Sequence, residues 1–428
     1  MIDSLLITLG KAISKLSKAA NRGNGSTWPG HIALKGNPQF IKDILRNSNI
    51  KTIIVAGTNG KTTTSSLIRR GLEQNGKKVI QNNSGANLLN GVASTLLLNS
   101  NRHGKLNYDY AIFEIDENAL PGVLAQITPD YLVLLNLFRD QLDRYGEINT
   151  IVQKWHDAIN KINGKTKLVL NADDPQIAYI GLTNKLETEY FGLEANKTEK
   201  IPVAADTISC PKCGNKLTFE NVIFSHLGSW HCTYCGLKRP KPQQTTWNNY
   251  PLSGTYNKYN VHAAVAVLKQ TGLKENEIEN AFRNFKPAFG RQEIIAYKDR
   301  QVQIFLSKNP TSFNESYKTI KELHATTLLI VLNDRIPDGR DISWIWDTDF
   351  PELEKFDHIF VAGDRVYDMA LRLKYELENM TKIKTFEDLD EAITSAIDTL
   401  PKDKTLYILP TYSAMLDVRK LLTGKKIL

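Results

Sequence analysis

Ile53-Ile54-Val55-Ala56-Gly57-Thr58-Asn59-Gly60-Lys61-Thr62-Thr63-Thr64 sets an apolar run directly before a turn bracketed by two glycines. The run reads as a strand, and Thr62 to about Leu72 reads as the helix that follows. A strand, a glycine turn ending Gly-Lys-Thr and a helix, in that order, make a phosphate-binding loop. The glycines let backbone N–H groups curl around phosphate oxygens, and the helix start adds its positive end. Gly57, Thr58, Asn59, Gly60, Lys61, Thr62 and Thr63 are therefore the candidates for holding a nucleoside triphosphate. Lys61 would reach the β- and γ-phosphates, and the Thr62 hydroxyl would ligate Mg2+. The usual pattern has four residues between the first glycine and Gly-Lys. Here only Thr58 and Asn59 stand there, so the loop is a short variant. The plainer alternative is a glycine turn that merely starts a helix.

A chain of 428 residues is long enough for two or three domains, and its 41% hydrophobic and 23% charged content is that of a globular enzyme. The net charge of +8 invites a search for a nucleic-acid surface. Lys and Arg are spread along the chain without a dense basic stripe, which argues against one. No apolar stretch is long enough to span a bilayer. Lys11, Lys15 and Lys18 interrupt the N-terminus, unlike a secretory signal, so a cytoplasmic protein is expected. Leu5, Leu6, Leu9, Ile13 and Leu16 recur at helical spacing with lysines mostly on the other face. Such a helix either packs on its own domain or makes peripheral contact with a membrane surface.

The four cysteines are Cys210, Cys213, Cys232 and Cys235, two C-x2-C pairs, each followed by glycine. Two such knuckles close a tetrahedral Zn2+ site. Two disulfides are the alternative, and a cytoplasmic setting disfavours them. With every ligand position taken by sulfur the metal is structural, and no cysteine remains elsewhere to act as a nucleophile.

Short apolar runs alternate with helical patterns, which predicts a mainly parallel α/β sheet. Candidate strands are residues 52–56, 78–81, 110–115, 131–135 and 167–171. A zinc unit at about 200–240 interrupts them, and a second α/β unit has strands near 302–306, 327–332, 358–362, 383–385 and 406–409. The expected organisation is an N-terminal helical segment at 1–40, a central ATP-binding domain at 41–296 and a smaller α/β domain at 297–428.

Ligands of open parallel sheets gather at the carboxyl ends of strands. The strand at 110–115 ends Phe113-Glu114-Ile115-Asp116-Glu117, so Glu114 is the first choice for a further Mg2+ ligand, with Asp116 and Glu117 as alternatives. Polar loops follow at Asn136–Gly146 and Asn171–Pro175.

The phosphate loop, Glu114, Asp140-Gln141-Leu142-Asp143-Arg144, Asn171–Pro175, Gly254-Thr255-Tyr256-Asn257-Lys258-Tyr259-Asn260 and Gly290-Arg291-Gln292-Glu293 follow one another in an order that resembles the Mur ligase family. That resemblance runs from about residue 40 to the end. It implies ATP-driven formation of an acyl phosphate that an amine attacks. It places Asn257 and Asn260 near the adenine, Arg291 near ribose or phosphate, and Lys308-Asn309-Pro310 at the start of the C-terminal domain.

Three features depart from the family pattern. Only 56 residues precede the loop, short of the roughly one hundred of a full substrate domain. Gln141 stands where the family often has His, which puts a second metal site there in doubt, and the zinc insertion is foreign to the standard ligases. The insertion and the stretch Asn333–Asp347 are similar to the ligase-like subunits of lipid II isoglutaminyl synthase. This implies a heterodimer with a GatD-like glutaminase, lipid II as substrate at the inner face of the membrane, and an aspartate lent to the partner's Cys–His pair. The resemblance favours Asp341 for that role over Asp338 and Asp347, any of which could instead cap the following helix. The rival readings are a stand-alone ligase that joins an amino acid to an acidic acceptor, and an ATP-binding scaffold whose zinc unit recruits other molecules.

Overall fold

The structure is a computed structural model describing residues 2–19, 27–82, 85–139, 148–194, 207–377 and 380–424. Strands β1 (Lys51–Ala56), β2 (Val79–Gln81), β3 (Tyr110–Ile115), β4 (Tyr131–Leu134), β5 (Lys167–Asn171) and β6 (Thr188–Phe191) form one sheet. Its order is β2-β3-β1-β4-β5-β6, with every pair parallel. The apolar run in β1 has no polar alternation because both faces of this central strand are covered. Ile54 and Ala56 enter a core with Phe40, Leu96 and Trp155, whereas Ile53 and Val55 enter the opposite core with Leu67, Val265 and Leu268.

Helix Lys61–Gln74 leaves the end of β1, and helix Thr255–Gln270 lies along it. Their contact is close because Gly71 has no side chain: a Cβ there would sit 2.5 Å from Leu268 Cδ1. The helices at Ile2–Ala19 and Trp28–Gly36 pack on helix Leu89–Asn99. Leu6 and Ile7 face inward, while Leu5, Leu9 and Leu16 are exposed.

The insertion contributes an antiparallel hairpin, β7 (Thr218–Phe224) and β8 (Leu227–His231). The second sheet contains β9 (Arg291–Tyr297), β10 (Arg300–Phe305), β11 (Thr327–Val331), β12 (His358–Ala362), β13 (Ile383–Thr385) and β14 (Thr405–Pro410). Its order is β13-β12-β11-β14-β10-β9, parallel except for the β9–β10 hairpin. The expected boundary at 296/297 thus falls at the end of β9, and the second sheet starts at Arg291. Most β9 side chains are half-buried or exposed, as suits an edge strand, and this hides the strand from an apolar-run reading.

Candidate active site

The phosphate loop is shaped by what surrounds its two glycines. Gly57 has φ +142 and Gly60 has φ +92. A Cβ on Gly60 would lie 2.0 Å from Asn260 Oδ1, so both conformation and space exclude a side chain. Asn136, just after β4, splints the loop. Its carbonyl accepts from Thr58 N at 2.9 Å, its Oδ1 accepts from Asn59 N at 2.9 Å, and its Nδ2 donates to Asn59 O at 3.1 Å. Those two loop N–H groups are therefore committed to Asn136. The helix start at Lys61 supplies the anion-facing end.

Two carboxylates meet this helix start, and both are buried. Thr62 Oγ1 lies 2.9 Å from each oxygen of Glu114. Asn82 fixes the Glu114 backbone on both sides, accepting from its N–H at 2.9 Å and donating to its carbonyl at 2.8 Å. Lys61 Nζ donates to the carbonyls of Gly57 and Thr58 and pairs with Glu117 Oε2 at 3.2 Å. Burial alone would raise the Glu117 carboxyl, but the charges of Lys61 and Lys308 outweigh it and hold the group below its ordinary value. Asp116 is turned to local use, accepting from Asn118 N at 3.1 Å. A hydroxyl and a carboxylate side by side are hard oxygen donors, so Thr62 and Glu114 fit Mg2+ chemistry.

A cleft opens from the loop between the two sheets. Asn59, Gly60, Thr63, Asn257 and Asn260 line one side, and Leu306, Thr311, Ser312 and Glu315 line the other. Arg291, at the start of the second sheet, lines the same cleft, as do Phe138, Phe224 and Tyr256. Asn260 Nδ2 donates to Asn257 Oδ1 at 3.1 Å, and Asn257 Nδ2 donates to Ser253 O at 2.7 Å. Asn59 and Asn309 exchange long hydrogen bonds of 3.3 and 3.5 Å across the cleft. Asn309 also caps helix Pro310–Glu322, accepting from Ser312 N at 2.8 Å. The structure thus brings together Lys61, Thr62, Glu114, Asn257, Asn260 and Arg291. The loop at 140–144, with Gln141, lies outside the described residues.

In the insertion, Cys210 and Cys235 Sγ are 3.6 Å apart, as are Cys213 and Cys232 Sγ, and all four lie within 4.8 Å of one another. A tetrahedron with metal–sulfur bonds of about 2.3 Å has edges of roughly 3.8 Å, whereas a disulfide needs about 2.05 Å. The spacing fits a four-thiolate metal site. Gly214 and Gly236, at φ +76 and +71, turn each knuckle so that their N–H groups bond back to Cys210 and Cys232 carbonyls at 2.9 and 3.0 Å.

The three candidate aspartates after β11 have different surroundings. Asp338 is buried and accepts from Ser413 N at 2.8 Å, from the Ser413 hydroxyl and from Arg335 N at 3.2 Å. Burial still pushes its carboxyl up. Asp341 is exposed and accepts from Ser343 N at 2.8 Å, and its bonds to Ser343 hold it below the usual range. Asp347 is exposed at the end of the short helix Ser343–Asp347. Trp344 packs inward on Phe313, while Trp346 remains half exposed against Tyr375, with ring centroids 5.6 Å apart.

Residues 55–268 match the Mur ligase middle domain, and residues 306–415 match the MurT ligase C-terminal region. The chain is 35% identical over 431 residues to the MurT subunit of lipid II isoglutaminyl synthase (glutamine-hydrolyzing) from Streptococcus pneumoniae (strain ATCC BAA-255 / R6), covering 95% of this chain and 94% of that one. The chain belongs to the MurT family. The MurT subunit of Staphylococcus aureus (strain COL) is 34% identical over 388 residues, 86% of each chain. Among solved structures, a pseudomurein peptide ligase type C from Methanothermus fervidus aligns with a TM-score of 0.68 at 23% identity, covering 90% of this chain and 81% of that one. This MurT-family chain is a ligase, and its first sheet with the phosphate loop is the Mur ligase ATP-binding domain.

Sequence reading of this MurT-family site missed the pairing of Glu117 with Lys61, the Asn136 splint and the Asn82 clamp on Glu114. Only Glu117 had a local signal, as a second carboxylate just past the end of β3. The other two act from neighbouring strand ends and are joined to their partners by folding alone.

Proposed function

We propose that this MurT-family ligase amidates the α-carboxylate of D-glutamate in the stem peptide of lipid II, giving D-isoglutamine for peptidoglycan synthesis. In this reading it works as a heterodimer with a GatD-like glutaminase that frees ammonia from glutamine. The observation that carries it is the cluster of Lys61, Thr62, Glu114 and Glu117 next to the loop residues that line an inter-sheet cleft, in a chain whose four cysteines are gathered where they could hold one metal. Such a chain can activate a carboxylate but offers no thiolate to hydrolyse glutamine.

A carboxylate oxygen is a poor leaving group. Transfer of the γ-phosphoryl group of ATP onto it gives an acyl phosphate; ammonia then forms the C–N bond and phosphate leaves. Positioning and charge neutralisation carry most of such catalysis. Lys61 neutralises phosphate charge, with Glu117 keeping its ammonium aimed along the loop. Thr62 and Glu114 would hold Mg2+, which supplies further charge neutralisation when bound. Asn257 and Asn260 face the adenine, and Arg291 the ribose or phosphates. Asp341, exposed in the loop that also carries Trp346, supplies the carboxylate that orients the partner's histidine. Among the described residues no helix is long and apolar enough to cross a membrane. In this reading lipid II is met at the inner face of the membrane by peripheral contact.

The test is to purify the chain with its glutaminase subunit and assay lipid II amidation. Amidation that requires both ATP and glutamine supports the reading. Efficient joining of an amino acid to an acidic acceptor by the isolated chain would overturn it.

A further inference from the structure

The four-cysteine insertion contributes nothing to phosphate chemistry, yet its hairpin does not end in solvent. β7 and β8 run from the cysteine cluster to a turn at Ser225 (φ +51) and His226, and this tip is buried against the ligase body. Phe224, 4% exposed, lines the cleft that also holds Asn257 and Asn260. Its ring is 5.9 Å from that of Phe138 and 5.6 Å, edge-on, from that of Tyr259. His226 is fully buried, with its ring 5.1 Å from Phe138 and Nε2 3.4 Å from Asp174 Oδ2.

The arm is fastened along its length to the loop after β5. Trp230 Nε1 donates to Ala172 O at 3.1 Å, and Gly228 N to Asp173 O at 3.2 Å. Arg239, just beyond the second knuckle, holds Asp173 Oδ1 at 2.7 Å through Nε, while Tyr259 donates to Asp173 Oδ2 at 2.6 Å. Asp174 Oδ2 also accepts from Leu137 N at 2.9 Å, next to the Asn136 that splints the phosphate loop. The ribbon therefore meets the cleft twice, through an aromatic ring in its wall and through the segment that braces its floor.

We propose that the inserted ribbon is part of the nucleotide site. Phe224 provides apolar surface for the base, and the cysteine cluster anchors the arm that holds Phe224 in place. Aromatic side chains bind bases through their π-faces with little dependence on base identity, so the contribution is to affinity for the nucleoside end and not to phosphoryl transfer. The proposal rests on reading the cleft as the ATP site.

The experiment is equilibrium binding of a fluorescent ADP analogue to the full chain, with thermal melting followed in parallel. Phe224→Ala should weaken binding about tenfold, the scale of one lost base–aromatic contact. Phe224→Leu should weaken it less, with melting close to that of the unmodified chain. Tyr234→Ala, in an exposed knuckle position, should bind normally. A mercurial thiol reagent that strips four-thiolate metal sites finds no other cysteine on this chain, and it should reproduce the weakening. Unchanged affinity in both Phe224 variants, or after verified metal release, overturns the proposal alone. Failure of the unmodified chain to bind the analogue overturns the ATP reading of the cleft as well.

Discussion

The acidic residues beside the phosphate loop and those in the loop after β11 are handled in opposite ways. Glu114 and Glu117 are both buried and both engaged, one with Thr62 and the other with Lys61. In the later loop the buried carboxylate, Asp338, is consumed by Ser413 and Arg335, and Asp341 is left facing outward, accepting from Ser343 N. The first arrangement is assembled within one chain. On the proposed reading the second is offered to another chain, while Asp338 holds the loop in place.

The strongest way to break this comparison is at Lys61. Lys61→Ala should lower ATP turnover by about a thousandfold, the scale of losing a pre-set charge contact at a transition state, with the chain still folded. It also leaves Glu117 buried without its ion-pair partner, with Lys308 still nearby, at a stability cost of roughly 3–5 kcal/mol. Lys61→Ala/Glu117→Gln should recover most of that stability and none of the turnover. Recovery of turnover in the double variant would show that Lys61 serves only as a partner for Glu117.

Next in size, Asp341→Asn should lower glutamine-dependent amidation about a hundredfold or more while sparing reaction with free ammonium. Equal loss with both ammonia sources would remove Asp341 from the glutaminase reaction. Asp338→Asn should behave differently, lowering the melting midpoint by the equivalent of about 1–3 kcal/mol through its bonds to Ser413 and Arg335. If Asp338→Asn instead lost only the glutamine-dependent reaction at full stability, the two aspartates would exchange roles.

Acid gives a subtler contrast. His262, in helix Thr255–Gln270, is enclosed between Tyr250 and the Gly192 carbonyl, and burial lowers its pKa to about 4. The unfolded chain protonates this residue near pH 6.5 and the folded chain does not, so its stabilising contribution is full above pH 6.5 and is lost as pH falls toward 4. The loss amounts to at most about 3 kcal/mol. Asp338 has the opposite sign: its raised folded pKa favours the folded state as pH falls through that value. Hydrogen exchange at pH 5 should therefore show helix Thr255–Gln270 loosening relative to pH 7, and His262→Gln should flatten that dependence. No change in protection between these pH values would rule out a neutral, buried His262. Smallest in reach, metal analysis should find about one zinc per chain, and cysteine-bound metal near zero in chelator-free protein would reject the four-thiolate site.

What could be read from the sequence was whatever sits at short, fixed spacing. The phosphate loop, the cysteine knuckles and Glu114 at a strand end each carry their geometry within a few residues, whereas Asn257 and Asn260 stood out only through the resemblance to the Mur ligase family. The two carboxylate clusters differ for a reason that spacing does not encode. Asp338 and Asp341 are three residues apart in the same loop, and only packing against Ser413, from the far end of the chain, separates a clamp from an exposed acid. The same holds for Asn136, whose partner Asn59 in the phosphate loop lies 77 positions earlier, and for the hairpin tip at Phe224. Strand β9 was hidden because an edge strand needs no apolar run.

The missing side chain at Gly71 has a mechanical consequence. On the proposed reading one helix of the pair begins under the phosphates and the other carries the asparagines that face the base, and Leu268, packed against Gly71, sets how closely the two approach. The distance between the two ends of the nucleotide is thus a fixed gauge built into the first sheet's outer layer. Any adjustment that brings a carboxylate to the γ-phosphate must then come from the other jaw, the sheet that carries Lys308 and Asn309. Enlarging residue 71 would reset the gauge itself, which no movement of that jaw could correct.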